Sequence, residues 1–320
     1  MKKLISLTIL MLVAFTTFSQ SNSYYKPGDT LYYQNNRATY LKTNVLVIIK
    51  ETNVDNNNFN VEKHLFDTEA NKFFLDSKFT TNGLQELKSN GVFKSFYKNG
   101  KIASEGETVN GKKGTGIWKY YYDNGKNKSE EKKSKKTLAN DQKVDLVMSF
   151  WDKKGNQTVE NGNGFAQFID EEGTFVKGSF KDGFKNELWI GYDGKVKKYE
   201  ENYKKGSLSK GTSWNAAGES FTYKEVNTPA YYKKRDNGSV RKYVGKKFNS
   251  NIAGVNGVIF VTFTVTKEGD VSNVNVERGL IQSYNSEVTK ILSEMSGWTP
   301  AQKRGQSLES NYSLNLNFKG

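Results

Sequence analysis

GVIFVTFTV, residues Gly257–Val265, decides the fold of the last quarter of this 320-residue chain. The run is apolar, β-branched and aromatic, which favours a strand buried on both faces. The residues that follow, Lys267–Asp270, include a glycine that can adopt the positive φ of a tight turn. Val271, Val274 and Val276 then provide the apolar positions of a second strand. We therefore predict a β-hairpin over these residues.

Beyond the hairpin, the apolar period changes from that of a strand to that of a helix. One helical face would carry Tyr284, Val288, Ile291, Leu292 and Met295. We predict Ser283 as the N-cap of this helix and Gly297 as its end. Trp298–Ala301 (WTPA) predicts an extended exit, because the residue before a proline avoids helical angles. The alternation over Tyr312–Phe318 predicts a closing strand.

This order of elements resembles the C-terminal domain of the TonB family of energy transducers. The resemblance covers about residues 239–320 and is carried by Gly257-Val258, Phe263–Val265, Gly269, Trp298–Ala301, Gly305 and Leu314–Phe318. Two departures are visible. Phe248–Gly254 lacks the proline that family members often have, and Gly305–Leu308 stands where the family has Gly-Lys-Pro-Val. The same elements would also suit an unrelated small α+β domain.

The resemblance implies a way of binding. In this family the domain captures the TonB box of an outer-membrane receptor by adding it to an exposed sheet edge. The implied partner is a TonB-dependent receptor or another component of the TonB system, and a homodimer is left open. The predicted partner-binding residues of the edge strand are Ser310, Asn311, Tyr312, Ser313, Leu314, Asn315, Leu316 and Asn317. Trp298 and Pro300 are expected to fix a structural corner.

The first residues have the pattern of a secretory signal peptide. Lys2 and Lys3 precede an apolar run at Leu4–Phe18, and small residues precede Gln20. A helix of this length would span only about 22 Å, short of the ~30 Å hydrocarbon core of a membrane. We predict a signal peptide at residues 1–19 and export to the periplasm. Retention as an inner-membrane anchor is the alternative.

Composition favours β structure. The chain has 29 glycines, 3 prolines and 13% aromatic residues, which is typical of hairpin-rich sheets. It has no cysteine, which excludes disulfides, thiol nucleophiles and thiolate metal sites. We predict a mainly β protein with a C-terminal α+β domain of β-β-α-β order. The predicted domains are a hairpin-repeat domain at residues 24–223, a linker at 224–238 and the TonB-like domain at 239–320. The transmembrane helix and proline-rich linker of TonB proteins are not expected here.

The middle of the chain repeats itself. Gly91–Lys101 (GVFKSFYKNGK) recurs 25 residues later as Gly116–Lys126 (GIWKYYYDNGK), and weaker copies follow as far as Gly218. The aromatic alternation predicts strands, and Asn-Gly or Asp-Gly predicts type I′ turns between them. One hairpin cannot bury its aromatic face alone, so successive hairpins are expected to stack into an extended sheet. The pattern over about residues 84–223 resembles MORN-variant repeats.

The net charge of +14 is concentrated in part of the chain. Lys112–Lys136 holds nine lysines against three acidic residues. We predict that Lys126–Lys143 is a solvated loop. The alternative is contact with an anionic envelope surface, such as lipopolysaccharide or peptidoglycan. An exported chain is not expected to bind nucleic acid.

No pattern indicates catalysis. His64 is the only histidine and is predicted to be a surface residue rather than a general base. No Gly-x-Ser-x-Gly elbow, calcium loop or phosphate loop is present in the sequence. We therefore expect no catalytic residues, no metal ligands and no cofactor.

The sequence thus predicts a binding protein. The favoured function is that of a periplasmic TonB-family protein that binds an outer-membrane transport partner by strand addition and serves TonB-dependent transmembrane transport. The alternative is a non-catalytic envelope scaffold, in which the repeat sheet binds a cell-wall or membrane-surface component.

Overall fold

The computed structural model of the protein describes residues 25–53, 58–137, 143–235, 238–249 and 254–319. The described residues are 58% strand and 8% helix, with a large antiparallel sheet of hairpins and a small C-terminal α+β region, which confirms the predicted fold class. The predicted signal peptide lies outside the described residues. Neither helix in the described ranges is long and apolar enough to cross a membrane.

The large sheet takes in the strands between Thr30 and Tyr223. They are β1 (Thr30–Gln34), β2 (Arg37–Thr39), β3 (Val45–Asn53), β4 (Asn58–Asp67), β5 (Lys72–Thr81), β6 (Ser89–Phe96), β7 (Ile102–Val109), β8 (Lys112–Lys113), β9 (Ile117–Tyr121), β10 (Asn127–Thr137), β11 (Lys143–Trp151), β12 (Gln157–Glu160), β13 (Asn163–Ile169), β14 (Phe175–Lys181), β15 (Phe184–Asp193), β16 (Val196–Lys204), β17 (Ser207–Trp214) and β18 (Ser220–Tyr223).

Within its described residues, the C-terminal region adds two helices and six strands. They are β19 (Asn227–Thr228), α1 (Gly238–Lys247), β20 (Gly257–Val265), β21 (Val271–Arg278), α2 (Gln282–Ser293), β22 (Ala301–Lys303), β23 (Gln306–Leu308) and β24 (Ser310–Phe318). Strands β21, β20 and β24 form a three-stranded sheet in that order, and β19, β22 and β23 form a second one.

The chain divides into two compact units. The first extends to Ala166 and includes Phe180–Phe184; the second comprises Gln167–Ser179 and Lys185–Gly320. The core of the first unit is built from β1, β3, β4 and β5 and the residues after them, and its members are Tyr33, Val47, Ile49, Phe59, Val61, Phe79, Leu84 and Leu87. The C-terminal core of the second unit is centred on β20 and α2, with Ile259, Phe263, Val265, Val288 and Leu292 among its members.

Within each unit, aromatic rings cover glycines of neighbouring strands. In the first unit, the Trp118 indole lies over Gly106, where an added Cβ would lie 2.5 Å from the ring. The second unit repeats this arrangement in three pairs: Gly178 with Trp189, Gly191 with Tyr199 and Gly211 with Tyr223. The missing Cβ gives each ring a flat surface to pack on. The repeat glycines at these positions therefore serve packing, and turn formation is left to other glycines.

Two kinds of turn recur among the hairpins, and the type I′ prediction is correct for one of them. At Tyr97–Lys101 and Tyr122–Lys126, only the glycine has a positive φ, 81° at Gly100 and 87° at Gly125. These are three-residue loops closed by a glycine in the left-handed region, as in a type I turn with a bulge. At Asp182-Gly183 both residues have positive φ, 52° and 80°, as type I′ requires. These two examples differ in loop length, which is three residues between Tyr97 and Lys101 and two residues at Asp182-Gly183.

The repeated Tyr-x-Asn-Gly-Lys pattern also links one turn to the next. The Tyr97 hydroxyl, the Asn99 amide and the Lys101 ammonium donate to the backbone carbonyls of Tyr121, Asp123 and Asn124, at 2.6, 2.8 and 2.9 Å. The next turn repeats these bonds from Tyr122, Asn124 and Lys126 to the carbonyls of Trp151, Lys153 and Lys154. Each turn therefore holds the following one through side-chain donors.

The prediction of a solvated loop at Lys126–Lys143 is wrong for most of that segment. Residues Asn127–Thr137 form β10, which pairs with β9 on one side and β11 on the other. Backbone pairing on both sides satisfies the strand whatever the polarity of its side chains. The Lys133 ammonium also donates to the carbonyl oxygen of Lys113. Residues 138–142 of this segment lie outside the described residues.

The predicted C-terminal elements are present, with one correction at α2. The helix begins at Gln282 with Ile281 as N-cap, and no side chain caps it, so Ser283 lies inside the first turn. Asn285 explains the difference, because its side-chain oxygen accepts the backbone N–H of Leu280 at 3.0 Å and so fixes the entry to the helix. The helix ends at Ser293, before the predicted stop at Gly297. A short helix, α1, precedes β20.

Candidate functional site

Strand β24 lies at the edge of the three-stranded C-terminal sheet. All nine of its residues pair with β20, from Ser310 opposite Val265 to Phe318 opposite Gly257. In the described part of the chain no strand pairs with its other side. An edge of this kind presents backbone N–H and C=O groups that a further strand can bind.

The side chains of β24 alternate between core and solvent. Leu314 and Leu316 are 3% and 4% exposed and belong to the C-terminal core, and Tyr312 packs on Phe263 and Trp298. The exposed positions are Asn311, Ser313, Asn315 and Asn317. Polar residues at these positions keep an open edge soluble without weakening the core.

One contact shows which residues direct their backbone outward. The Arg241 Nε of α1 donates to the carbonyl oxygen of Asn315 at 3.1 Å, so this carbonyl points away from β20. In an antiparallel pair, alternate residues direct both backbone groups toward the same neighbour. Asn311, Ser313 and Asn317 therefore also direct theirs to the open side. Of the eight predicted binding residues, these four direct their backbone groups to the open side, and the other four direct theirs to β20.

Trp298 and Pro300 lie at the corner between α2 and β22. The Trp298 indole is 4% exposed and packs against Tyr232, Phe263 and Tyr312. Its backbone N–H donates to the carbonyl of Gly269, at 3.2 Å, which ties the corner to the β20–β21 turn. Pro300 follows Thr299, whose backbone pairs with that of Tyr231. Trp298 thus belongs to the C-terminal core, and Pro300 directly precedes β22.

The hairpin immediately before β24 is held by a buried ion pair. Strands β22 and β23 are joined by Arg304-Gly305, both with positive φ, 51° and 77°. The Arg304 Nε donates to the Glu201 carboxylate of β16 at 3.0 Å, and its guanidinium lies 3.8 Å from the Tyr199 ring centroid. Glu201 is 1% exposed. A charge this deeply buried requires a charged partner and further hydrogen bonds.

Two tyrosines supply those further hydrogen bonds. The hydroxyls of Tyr203 and Tyr223 donate to Glu201 at 2.8 and 2.9 Å. Burial raises the pKa of both hydroxyls above its usual range, and the Glu201 charge raises it further. Both phenols therefore keep their protons at neutral pH and remain donors. Burial likewise raises the pKa of Tyr199 to about 12.

Backbone contacts complete this anchor, which we define as Glu201, Arg304 and the residues that bind them. The Arg304 N–H donates to the Val226 carbonyl at 2.6 Å, and the Ser213 hydroxyl donates to the Arg304 carbonyl at 2.7 Å. The predicted linker contributes as well, because β19 pairs with β22. Only Glu309 separates β23 from β24, so the anchor fixes the start of the edge strand.

His64, predicted to be a surface residue, is largely buried in the first compact unit. It lies in β4 with its side chain 18% exposed and its Nε2 3.7 Å from a carboxylate oxygen of Glu62.

Sequence reasoning missed Arg241, Glu201 and Arg304. Glu201 had a usable signal, because Tyr199, Glu201 and Tyr203 alternate along one strand and place a carboxylate on a face with two aromatic residues. Arg241 and Arg304 had none, since each acts on a residue more than 70 positions away.

The chain matches no protein-family model, no curated protein and no solved structure. The resemblance to the TonB C-terminal domain and to MORN-variant repeats therefore stays a prediction from the residues.

Proposed function

We propose that the protein binds an extended segment of an outer-membrane transport partner by adding it as a strand to the open side of β24. In this proposal the protein works in the periplasm, as the TonB resemblance implies, and takes part in TonB-dependent transport. The observation that carries the proposal is the open edge itself: four residues of one strand with outward backbone groups and exposed polar side chains. Backbone pairing would supply affinity, and the alternate side chains would supply selectivity.

The position of the edge also supports binding. A strand that captures a partner must keep its place when the partner is bound, and β24 is fixed on two sides. One side is the nine-residue pairing with β20, and the other is the anchor that precedes Ser310. The outward groups of Asn311 and Ser313 lie in the half of β24 nearest this anchor. We expect pairing with a partner to include these residues.

The test uses the full chain and synthetic TonB-box heptapeptides. Hydrogen exchange measured by mass spectrometry should show slower exchange in residues 310–318 when a peptide is present. Ser313→Pro removes one outward N–H and places a ring on the open side, a change that edge strands tolerate. It should abolish the protection, whereas Ser313→Ala, which keeps the N–H, should retain it. Equal binding by the two variants, or no protection with any peptide, would contradict the proposal.

A further inference from the structure

Arg241 occupies part of the open side of β24. Besides the bond from Nε to the Asn315 carbonyl, its Nη2 donates to the Asn315 side-chain oxygen at 2.5 Å. Two of its five donors are thus used on neutral acceptors, and three remain. Arg241 is itself exposed, so moving its guanidinium requires little change in solvation. A strand added along the whole of β24 would meet this side chain at Asn315.

The surroundings of Asn315 are basic. Helix α1 carries Arg241, Lys242, Lys246 and Lys247 and no acidic residue. On the solvent face of the sheet, Phe260 lies between Asn315 and Arg278 in the strand register, and the Arg278 guanidinium lies 5.9 Å from its ring centroid. Phe260 is 41% exposed, an unusual exposure for an aromatic residue of a central strand. This end of the face therefore combines an aromatic surface with two guanidinium groups.

These two arginines differ from others of the second unit in lacking a carboxylate. Arg235 pairs with Glu225, and Arg304 pairs with Glu201 and Glu172. Within the described residues, Arg241 and Arg278 form no ion pair. The carboxylate of Glu277, on the same face, accepts hydrogen bonds from Thr262 and Asn275 instead. An acceptor for Arg241 that is stronger than the Asn315 amide would have to come from a partner.

We propose that the segment added to β24 carries an acidic side chain opposite Asn315, and that Arg241 leaves Asn315 to bind this carboxylate. The inference rests on the proposed strand addition and specifies its partner. Side chains directly opposite on neighbouring strands lie about 5 Å apart on the same face, so the carboxylate falls within reach of the guanidinium. A charged acceptor binds arginine more strongly than a neutral amide does. The exchange frees the Asn315 carbonyl for the added strand, and Arg278 adds a weaker attraction from farther away.

The test compares peptides that differ at one position. A set of heptapeptides with alternating valine and threonine carries either Glu or Gln, moved one position at a time, and affinity for the full chain is measured by fluorescence anisotropy. We expect one position at which Glu binds about fivefold more tightly than Gln, the gain of a partly exposed ion pair. Arg241→Ala should weaken binding of that Glu peptide and tighten binding of its Gln counterpart, because the competitor for Asn315 is removed.

The matched control is Lys242→Ala, which removes the same charge from the neighbouring position of α1. It should preserve the preference for Glu, and Arg278→Gln should reduce it only slightly. Raising the salt concentration should reduce the preference as well, since the pair is exposed. If Glu and Gln peptides bind equally at every position, the acidic partner is excluded while strand addition stands. If Arg241→Ala and Lys242→Ala change the preference equally, Arg241 has no specific part in it. If no peptide binds, strand addition fails and this inference fails with it.

Discussion

Two arginines bind at the edge strand in different environments, one in the turn before β24 and one at Asn315 within it. Arg304 lies in the turn before β24, with its side chain 17% exposed and its Nε bound to a carboxylate that is 1% exposed. Arg241 lies on the surface of α1 and binds the amide oxygen and backbone carbonyl of Asn315. Both arginines donate a hydrogen bond from Nε. Arg304 lies within ten residues of β24 along the chain, and Arg241 contacts β24 directly at Asn315. They differ in the charge of the acceptor and in the amount of water around it.

This difference decides which of the two contacts stays closed and which can be exchanged for another. Removing one member of a buried ion pair leaves the other charged and desolvated, so the pair cannot open at low cost. An exposed contact opens readily, because water replaces each lost hydrogen bond. The β22–β23 hairpin is therefore fixed by the Arg304–Glu201 pair. The Asn315 end of β24 is covered by a side chain that can leave. A strand-binding site needs both properties, a rigid base and an edge that opens.

The largest effect is expected from breaking the buried pair. Arg304→Ala leaves Glu201 without its cation, and we expect a loss of about 3–5 kcal/mol in the free energy of unfolding. Urea denaturation of the full chain measures this loss at constant m-value. Lys303→Ala is the control in the same hairpin, since its ion pair with Glu172 is exposed, and it should cost less than about 1 kcal/mol. Similar losses for the two variants would mean that Glu201 is not a buried charge held by Arg304.

A smaller effect is expected from removing one neutral donor to Glu201. Tyr223→Phe deletes the hydroxyl bound to the carboxylate at 2.9 Å but keeps the ring that covers Gly211. Hydrogen bonds to charged groups contribute about 1.5–3 kcal/mol, and we expect a loss within this range. Thr222→Val, which removes an exposed hydroxyl from the neighbouring position of the same strand, provides the reference in the same denaturation experiment. A loss at Tyr223→Phe below that of the reference would show that the hydroxyl is dispensable.

The two arginines also show how far the sequence could predict the site. The alternation over Tyr312–Phe318 predicted the closing strand and its core side correctly, because a period of two is a local property of the chain. The neighbours of that strand depend on register and on helix placement. For this reason neither Arg241 nor the choice of four outward residues could be inferred. Glu201 could be placed on a face with two tyrosines, but its cation comes from a turn 103 positions later.

The repeats show the same limit at closer range. Asn-Gly predicted a turn at residues 99–100 correctly, but its type depends on where the flanking strands stop pairing, which the dipeptide does not encode. Likewise, the lysine-rich sequence of β10 predicts a loop. This prediction is wrong because a strand that is paired on both sides needs no apolar period. The Tyr97 and Lys101 positions repeat for a reason visible only in the structure: they donate to the next turn.

The smallest effect on stability is expected from the exposed arginine, Arg241. Arg241→Ala removes two hydrogen bonds to Asn315, both accessible to water, and we expect a change within about 0.5 kcal/mol. The core residues of α1, Val240 and Val244, are untouched by the change, so the helix should keep its place. Hydrogen exchange should nevertheless become faster in residues 310–318, since Arg241 covers one outward carbonyl of that strand and limits its local opening. A loss of more than about 1.5 kcal/mol would place Arg241 with Arg304, as a residue that holds the fold. An edge held in that way could not exchange Asn315 for a partner's carboxylate.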